Sequence, residues 1–260
     1  MPGFLIDLDG TLYRGRERIP YADVFIRELL DRKLPFLLVT NNSSRTPEQV
    51  AEHLYDMGIE VGVQHIFTSS QAAVLYMEKQ RRGKKVYMIG ENGLLLALTE
   101  AGFNLSEDSP DYVVQGIDRD FSYAKMTSAV RHIMNGASYV LTNPDQLLPS
   151  DGGLMPGAGS IAAAIRTASG AEPIVIGKPS PIMMGYAIER LALSPADVWV
   201  IGDNAVTDIR GGAVSGCRTA LVLTGLATPD NCKEQLQKAG VTPDLICSDL
   251  QAFSRHILQD

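Results

Sequence analysis

Short apolar runs alternate with helix-like segments along almost the whole chain, and this alternation restricts the fold more than any other feature. The runs are continuous, often β-branched and bounded by Gly, Asn, Asp or Pro, which is typical of strands buried on both faces. Nine runs are predicted as strands: 3–7, 35–40, 65–68, 85–90, 111–116, 138–142, 173–177, 198–203 and 218–224. Strands that alternate with helices predict an α/β fold, with a parallel sheet covered by helices.

Helical spacing of apolar residues is clear in the segments 21–33, 46–58 and 180–193. In the first segment the spacing predicts a buried face that contains Val24, Ile26, Leu29 and Leu30. The Gly/Pro-rich stretch 148–159 lacks the lysine of a P-loop, so we expect a turn that leads into a helix at Ser160.

Four polar clusters follow apolar runs: Asp7-x-Asp9, Thr40-Asn41-Asn42, Gly177-Lys178-Pro179 and Gly202-Asp203-Asn204. Ligands of open α/β sheets bind outside the carboxyl ends of the strands, so these clusters predict one site. The interval 77–175 carries its own strands and helices but none of the clusters. We therefore expect a discontinuous Rossmann-like core, residues 1–76 plus 176–260, with residues 77–175 inserted as a smaller α/β domain.

The pair Asp7 and Asp9 suggests metal-dependent chemistry. Residues i and i+2 of a strand point to the same face, so the two carboxylates would repel each other without a cation nearby. No His or Cys cluster accompanies them, which favours a hard cation such as Mg²⁺, with Asp203 as a third oxygen ligand. One carboxylate can then act as a nucleophile and the other can transfer a proton, while Lys178 screens the charge of a phosphate.

The motifs "DLDGTL", "LLVTNN", "GKPSP" and "GDNAVTD", in this order, resemble the four motifs of the haloacid dehalogenase superfamily, which consists mostly of phosphatases. The long insertion and the sequences "TNPD" (142–145) and "IGKPSP" (176–181) resemble the branch with a large α/β cap, which includes NagD and the para-nitrophenyl phosphatases. The resemblance covers essentially the whole chain. Because the second acidic position, Asp9, is present, the resemblance implies phosphate-ester chemistry rather than dehalogenation.

The resemblance implies a role for each motif residue. Asp7 would be the nucleophile that becomes phosphorylated, and Asp9 would be the general acid and then the general base. Thr40 and the Asn41 backbone amide would bind phosphoryl oxygens, and Lys178 would neutralise charge. The further assignments are Mg²⁺ ligation by Asp7, the Asp9 main-chain carbonyl and Asp203, and orientation of the metal's water or of Lys178 by Asp208. Asn42 is a further candidate for substrate binding. Asn143 and Asp145 follow the predicted strand 138–142 of the insertion, where they either bind the substrate or only shape the turn.

Three functions remain open at this point. The first is Mg²⁺-dependent hydrolysis of a small phosphate monoester, such as a sugar phosphate or nucleotide monophosphate, through an aspartyl-phosphate. The second is a phosphotransferase or phosphomutase that uses the same phosphoaspartate. The third is a non-enzymatic, receiver-like regulator, which the long insertion and the acid/base Asp9 disfavour.

Charge and composition restrict the partners. The chain carries 23 Lys and Arg against 30 Asp and Glu, a formal net charge of −7, with no basic block that favours a nucleic acid polymer or a membrane surface. The three cysteines are too far apart for a metal-ligand pair, and we expect reduced thiols. The start of the chain does not look like a signal peptide, so a cytoplasmic location is expected. A small phosphorylated metabolite is the expected partner, and a homo-oligomer is left open.

Overall fold

The computed structural model describes residues 1–150 and 153–258. Within these residues the strands are β1 Gly3–Ile6, β2 Tyr13–Arg14, β3 Glu17–Arg18, β4 Phe36–Thr40, β5 Ile66–Thr68, β6 Lys85–Ile89, β7 Asn104–Leu105, β8 Tyr112–Gln115, β9 Ser138–Leu141, β10 Leu147–Ser150, β11 Gly153–Pro156, β12 Ile174–Val175, β13 Val198–Gly202, β14 Arg218–Val222 and β15 Leu245–Cys247. All nine predicted strands are present, each within two residues of its predicted ends.

The α-helices of the described residues are α1 Ala22–Asp31, α2 Pro47–Asp56, α3 Ser69–Gln80, α4 Asn92–Glu100, α5 Tyr123–Met134, α6 Ala158–Ser169, α7 Pro181–Leu191, α8 Arg210–Val214, α9 Cys232–Ala239 and α10 Leu250–Ile257. A single π-helical turn, Ala205–Ile209, precedes α8. None of these helices combines the length and apolar character that crossing a lipid bilayer requires.

The chain divides into two compact units. The first consists of residues 1–40, 48–67 and 178–260, and the second of residues 41–47 and 68–177. The division predicted from the sequence differs from the observed one, because residue 76 lies inside α3, which packs against α4 of the second unit. Residues 41–47 also belong to the second unit, since several of their backbone groups are hydrogen-bonded there.

The first unit is built on a six-stranded sheet with the order β15-β14-β13-β1-β4-β5. The pairs β1–β13, β1–β4, β13–β14 and β14–β15 are parallel. The strands β1, β4 and β13 are buried along their whole length, as expected for strands that helices cover on both faces. The predicted α/β fold with a parallel sheet is therefore confirmed.

An aromatic cluster fills the core on one face of this sheet. Phe253 of α10 makes edge-to-face contacts with Phe4, Phe25 and Trp199, with ring centroids 6.2, 6.0 and 5.6 Å apart. The predicted buried face of α1 is wrong in part, because Val24 and Leu30 are more than a third exposed while Phe25 is fully buried. The buried residues of α1 follow the regular spacing i, i+3, i+4 and i+7, so the periodicity was present in the sequence and the prediction assigned its face to the wrong residues: Ala22, Phe25, Ile26 and Leu29 are the buried ones.

The second unit has its own five-stranded parallel sheet, with the order β12-β9-β8-β6-β7. The stretch 148–159 forms the antiparallel strands β10 and β11 and the first turn of α6, which begins at Ala158 rather than at Ser160. Residues 151 and 152 of this stretch lie outside the described residues. This unit provides the inserted α/β domain of the predicted fold.

Candidate active site

Asp7 is the first residue after β1, and the sheet fixes its backbone. Its amide donates a hydrogen bond to the carbonyl of Ile201 in β13, at 2.9 Å. The buried strand β1 thus delivers a carboxylate to the carboxyl end of the sheet, where its side chain is 15% exposed. A carboxylate at the end of an apolar central strand can be reached by a ligand while its own backbone stays rigid.

Lys178 lies between two carboxylates of the first unit. Its Nζ atom is 2.5 Å from Asp7 Oδ1 and 2.7 Å from Asp208 Oδ1, and it also donates to the carbonyl of Val39 at 3.0 Å. The lysine is only 3% exposed. An ammonium group has three donors, and each of these three acceptors can take one of them. The lysine is therefore held in one orientation.

Contrary to what the sequence predicted, Lys178 does not follow a strand of the core sheet. The strand that precedes it, β12, pairs with β9 in the sheet of the second unit, and Lys178 itself is the first residue of the last segment of the first unit. Lys178 lies two residues before Ser180, the N-cap of α7, whose side chain accepts a hydrogen bond from the amide of Ile182. The site is therefore built from the ends of three core strands and from this helix entry, rather than from four strand ends.

Asp203 and Asp208 follow β13. Asp208 sits in the π-helical turn, and its Oδ2 atom accepts a hydrogen bond from the amide of Asn204 at 3.2 Å, while its other oxygen accepts from Lys178. Asp203 Oδ2 accepts from the amide of Leu226 at 2.5 Å. Both carboxylates are almost fully buried, with 2% of Asp203 and 1% of Asp208 exposed.

Burial sets the electrostatics of this cluster. Burial raises the pKa of Asp7 well above its ordinary value; Lys178 opposes the rise, and the charges of Asp208 and Asp203 add to it. Burial, together with the charge of Asp208, raises the pKa of Asp203 to about 7. Burial alone would lower the pKa of Lys178, but Asp208 and Asp7 raise it by more, so the lysine stays charged. One ammonium group thus pairs with two of the three carboxylates, those of Asp7 and Asp208.

Asp7, Asp203 and Asp208 form an acidic cluster that could hold a metal ion. One oxygen of each lies within 4.8 Å of the others, and no other group of three or more His, Cys, Asp or Glu side chains in the described part of the chain meets this criterion. The donors are all carboxylate oxygens, which suit a hard cation. The raised pKa of Asp203 also indicates an excess of negative charge in the cluster, which a bound cation would offset.

Asp9 does not have the predicted relation to Asp7. The strand β1 ends at Ile6, so the rule that residues i and i+2 share a face does not apply beyond it. Asp9 is exposed and forms an isolated bridge with Tyr13, and it is not a member of the acidic cluster. Its predicted roles, in proton transfer and in metal binding through the main-chain carbonyl, stay predictions.

The predicted phosphate-binding residues Thr40 and Asn41 are consecutive in the chain. Thr40 is the buried last residue of β4, and Asn41 begins the segment 41–47 of the second unit. The carbonyl of Asn41 accepts hydrogen bonds from Ser69 Oγ at 2.7 Å and from Asn143 Nδ2 at 2.9 Å. The backbone of Asn41 is therefore held by contacts within the second unit.

The three residues predicted to bind substrate make hydrogen bonds within the second unit. Asp145 accepts from the side-chain amide of Asn41 at 3.1 and 3.4 Å, and its own amide donates to Asn143 Oδ1 at 3.2 Å. Asn42 Oδ1 accepts from the amides of Ser44 and Arg45. These contacts favour a role in shaping the segment that begins at Asn41, and substrate binding by the three residues stays a prediction.

Sequence reasoning missed the residues that hold Asp203. The amide of Leu226 follows the predicted strand 218–224, and the pair Thr224-Gly225 ends that strand as a fifth polar cluster. Because β14 lies beside β13 in a parallel sheet, the pair Thr224-Gly225 could have been predicted to lie at the site. Neither residue carries a group that is obviously catalytic, which is why the pattern gave no signal.

The parallel sheet, the Asp-Lys-Asp cluster at its carboxyl edge and the long insertion define one class of enzyme. The chain belongs to the haloacid dehalogenase-like hydrolase family: residues 4–104 match that family, and residues 175–253 match the related HAD-hydrolase-like family. The predicted superfamily is therefore confirmed.

Similar proteins are phosphatases. The chain is 40% identical over 236 residues to 5'-nucleotidase YutF of Bacillus subtilis (strain 168), covering 91% of this chain and 92% of that protein. It is 42% identical over 248 residues to acid sugar phosphatase of Staphylococcus aureus (strain USA300), covering 95% and 94%. These relatives confirm the predicted enzyme class, a phosphatase.

Solved structures agree with this class. The p-nitrophenyl phosphatase from Archaeoglobus fulgidus superposes with a TM-score of 0.94 at 32% identity, over 98% of this chain and 99% of that chain. NagD from E. coli K-12 superposes with a TM-score of 0.89 at 30% identity, over 96% and 97%. The fold and the predicted branch of the superfamily are thus both confirmed.

Proposed function

We propose that the protein hydrolyses small phosphate monoesters, with Asp7 as the nucleophile and an aspartyl-phosphate as the intermediate. The observation that carries the proposal is the position of Lys178 Nζ, 2.5 Å from Asp7 Oδ1 and 2.7 Å from Asp208 Oδ1. The single positive charge of Lys178 does not offset three buried carboxylates, and the net negative charge that remains lowers the stability of the fold. A cluster that destabilises the fold in this way is typical of a functional site.

In the first step the Asp7 carboxylate attacks phosphorus, and the bond from phosphorus to the leaving oxygen breaks. Asp9 donates its proton to that oxygen, so an alcohol leaves. Lys178 remains charged throughout, because two carboxylates raise its pKa, and it offsets the negative charge that collects on Asp7 and the phosphoryl group. Thr40 and the Asn41 amide bind phosphoryl oxygens.

In the second step a water molecule attacks the phosphorus of the aspartyl-phosphate, and Asp9 accepts a proton from it. The bond between phosphorus and the Asp7 oxygen breaks, which releases inorganic phosphate and restores both carboxyl groups. Asp208 keeps Lys178 in place through its 2.7 Å hydrogen bond.

Mg²⁺ is the cofactor that fits the donor set. Asp7, Asp203 and the main-chain carbonyl of Asp9 would hold it, and the bound ion supplies positive charge for the phosphoryl oxygens. The all-oxygen chemistry of the acidic cluster and the raised pKa of Asp203 support this assignment.

The substrate class follows from the relatives' names, 5'-nucleotidase, acid sugar phosphatase and p-nitrophenyl phosphatase, which support a nucleotide monophosphate or a sugar phosphate. We assign recognition of the leaving group to the second unit, because the four core motifs contain no residue assigned to binding it. The cytoplasmic location and the state of oligomerisation stay predictions.

The test is the replacement Asp7→Asn, which keeps the side-chain volume and removes the attacking charge. We expect the release of inorganic phosphate from p-nitrophenyl phosphate to fall at least a thousandfold, with an unchanged circular dichroism spectrum. Asp197→Asn, at an exposed position, is the matched control and should retain full activity. Turnover of Asp7→Asn close to that of the wild type would exclude the mechanism.

The same assay separates the alternatives. A hydrolase releases one phosphate for each p-nitrophenol, whereas a phosphotransferase transfers the phosphoryl group to an added alcohol or sugar in preference to water. A receiver-like regulator would accumulate phosphoprotein without turnover. Asp9→Asn should retain the first step with p-nitrophenyl phosphate, because this leaving group needs little protonation.

A further inference from the structure

The segment 224–227 follows β14 and lies beside the carboxyl end of β13. The register of the two parallel strands pairs Gly202, the last residue of β13, with Leu221 near the end of β14. The chain that leaves β14 therefore passes next to Asp203, which directly follows Gly202. Sheet topology alone brings this segment to the acidic cluster.

Two consecutive amides of the segment hold Asp203. The amide of Leu226 donates to Asp203 Oδ2 at 2.5 Å, and the amide of Ala227 donates to the main-chain carbonyl of Asp203 at 3.0 Å. The carbonyl of Leu226 is held in turn by two side chains of the following helix region, Asn231 Nδ2 at 3.0 Å and Gln235 Nε2 at 2.6 Å. The peptide between Leu226 and Ala227 is thus anchored on both sides, and it directly follows the peptide that carries the Leu226 amide.

The same segment also holds the turn that follows Asp9. Thr224 Oγ1 donates to the carbonyl of Gly10 at 2.7 Å. The carbonyl of Thr224 accepts from Arg14 Nε at 2.6 Å. A single short stretch of chain therefore contacts the backbone beside Asp9 and the side chain of Asp203.

Gly225 leaves the space that this arrangement needs. A Cβ atom at this position would lie 2.0 Å from Asp203 Oδ2 and 2.7 Å from the Cα atom of Gly10. Contacts as close as these do not occur, and the near atoms include backbone that cannot move away. The glycine is required here because of close approach and not because of its backbone dihedral angles.

We propose that Thr224, Gly225 and Leu226 act as positioning residues for the phosphatase reaction, by fixing Asp203 and the turn after Asp9 in one arrangement. We refer to these three residues as the brace. The inference rests on the proposed function, because it assigns the brace to the same acidic cluster. The brace is not catalytic itself: its atoms contact Asp203 and Gly10.

The physical reason for a brace is the repulsion within the cluster. Asp203 lies within 4.8 Å of two other carboxylates and makes no ion pair within 4.0 Å among the described residues. A carboxylate in this position would turn away from its neighbours unless a donor held it. The amide of Leu226 provides a neutral donor, which orients the carboxylate and leaves the negative charge of the cluster available to a cation.

The test uses Thr224→Val, which keeps the branched shape and removes the donor, and Thr224→Ser, which restores a hydroxyl. Gly225→Ala introduces the Cβ atom, and Gly185→Ala is its matched control, because a Cβ atom at the exposed Gly185 of α7 meets nothing within 4 Å. For each variant, Mg²⁺ is titrated into chelator-treated protein and the melting temperature is followed. Steady-state kinetics with p-nitrophenyl phosphate give kcat and KM separately.

We expect Thr224→Val and Gly225→Ala to raise the half-saturating Mg²⁺ concentration at least fivefold and to lower kcat at least fivefold, with KM changed less than twofold. Thr224→Ser should recover most of both losses, and Gly185→Ala should match the wild type. If Gly225→Ala fails to fold, the Thr224 pair decides the outcome. A folded Thr224→Val with wild-type Mg²⁺ affinity and kcat would overturn the proposal.

Asp203→Asn separates this proposal from the proposed function. If Asp203→Asn loses the response to Mg²⁺ while Thr224→Val and Gly225→Ala keep it, the brace is refuted and the proposed site stands. If Asp203→Asn and the wild type respond alike, the proposed metal site itself is wrong, and the brace falls with it.

Discussion

Replacing Lys178 with Met tests the electrostatic balance of the acidic cluster most directly. Methionine keeps a long, unbranched side chain of similar volume and removes the ammonium group. The lysine is 3% exposed, and it donates to Asp7, Asp208 and the carbonyl of Val39. The variant therefore leaves two buried carboxylates and one carbonyl without their common donor.

The size of the effect follows from burial. Removing one partner of a buried ion pair costs about 3–5 kcal/mol, because the remaining charge is left uncompensated. We expect a loss of this size in the free energy of unfolding at about pH 8 without divalent metal. The predicted loss in kcat is at least a hundredfold, comparable to that of removing one preorganised electrostatic donor elsewhere, which costs ~10²–10³.

The loss should shrink in acid, and the sign follows from the raised pKa values. The pKa of Asp203 is about 7 in the folded protein, against 3.8 for an ordinary aspartate, and the pKa of Asp7 is also raised. Between those values the folded state binds more protons than the unfolded state, so stability rises as the pH falls through 7 toward 4. Without Lys178 these pKa values rise further, so the variant gains more from acid than the wild type does.

The assay is urea unfolding in chelator at about pH 8 and about pH 5.5. We expect the destabilisation by Lys178→Met to be smaller at the lower pH by about 1.4 kcal/mol or more, the equivalent of one unit of pKa. The control is Arg27→Met, which removes an exposed ion pair with Asp23 at 3.6 Å and should cost less than about 1 kcal/mol at both pH values. A loss below about 1 kcal/mol at pH 8, or an equal loss at both pH values, would refute the reasoning.

The remaining predictions concern the metal, the segment at Asn41 and the core. Adding Mg²⁺ at a hundred times its Kd should stabilise chelator-treated protein by about 2.7 kcal/mol, seen as a rise in Tm, and Asp203→Asn should remove most of that gain. No rise in Tm of the wild type would contradict the metal site. Because the side chains of Asn143 and Asp145 are hydrogen-bonded to Asn41, replacing either with Ala should lower kcat/KM by similar factors for p-nitrophenyl phosphate and for a sugar phosphate. A tenfold or larger loss confined to the sugar phosphate would instead assign them to substrate binding. Phe253→Ala should lower the free energy of unfolding by about 3–5 kcal/mol in urea, because it leaves a cavity among three aromatic rings, while kcat of the folded protein stays unchanged. A loss below about 1 kcal/mol would mean that the core collapses around the smaller side chain.

The sequence alone predicted the α/β class, nine of the fifteen strands of the described residues and the enzyme class. Apolar runs of four to seven residues that are rich in β-branched residues and lie between polar boundaries favour buried strands over helices, and all nine predicted strands are present. The four motifs, taken in order, identified the superfamily, which the relatives confirm. Both results depend on short-range patterns, which a single sequence displays directly.

Tertiary structure decided which of the motif residues meet. The contact between Lys178 and Asp208 joins residues 30 positions apart, and the contact with Asp7 joins residues 171 apart. The motif resemblance left open whether Asp208 orients a water or Lys178, and only the packing of α7 against the sheet shows the direct contact. Spacing in the sequence carries no information about a distance of this kind.

The limits of the second unit were likewise a matter of three-dimensional contacts. Residues 41–47 follow a core strand and would be assigned to the core by their position, yet Ser69, Ser70 and Asn143 hold their backbone in the second unit. The amide of Leu226 is a further example, because a backbone donor has no signature in the sequence. Local patterns specify which segments form strands and helices, whereas the hydrogen bonds between distant backbone and side-chain groups exist only once the chain has folded and brought them together.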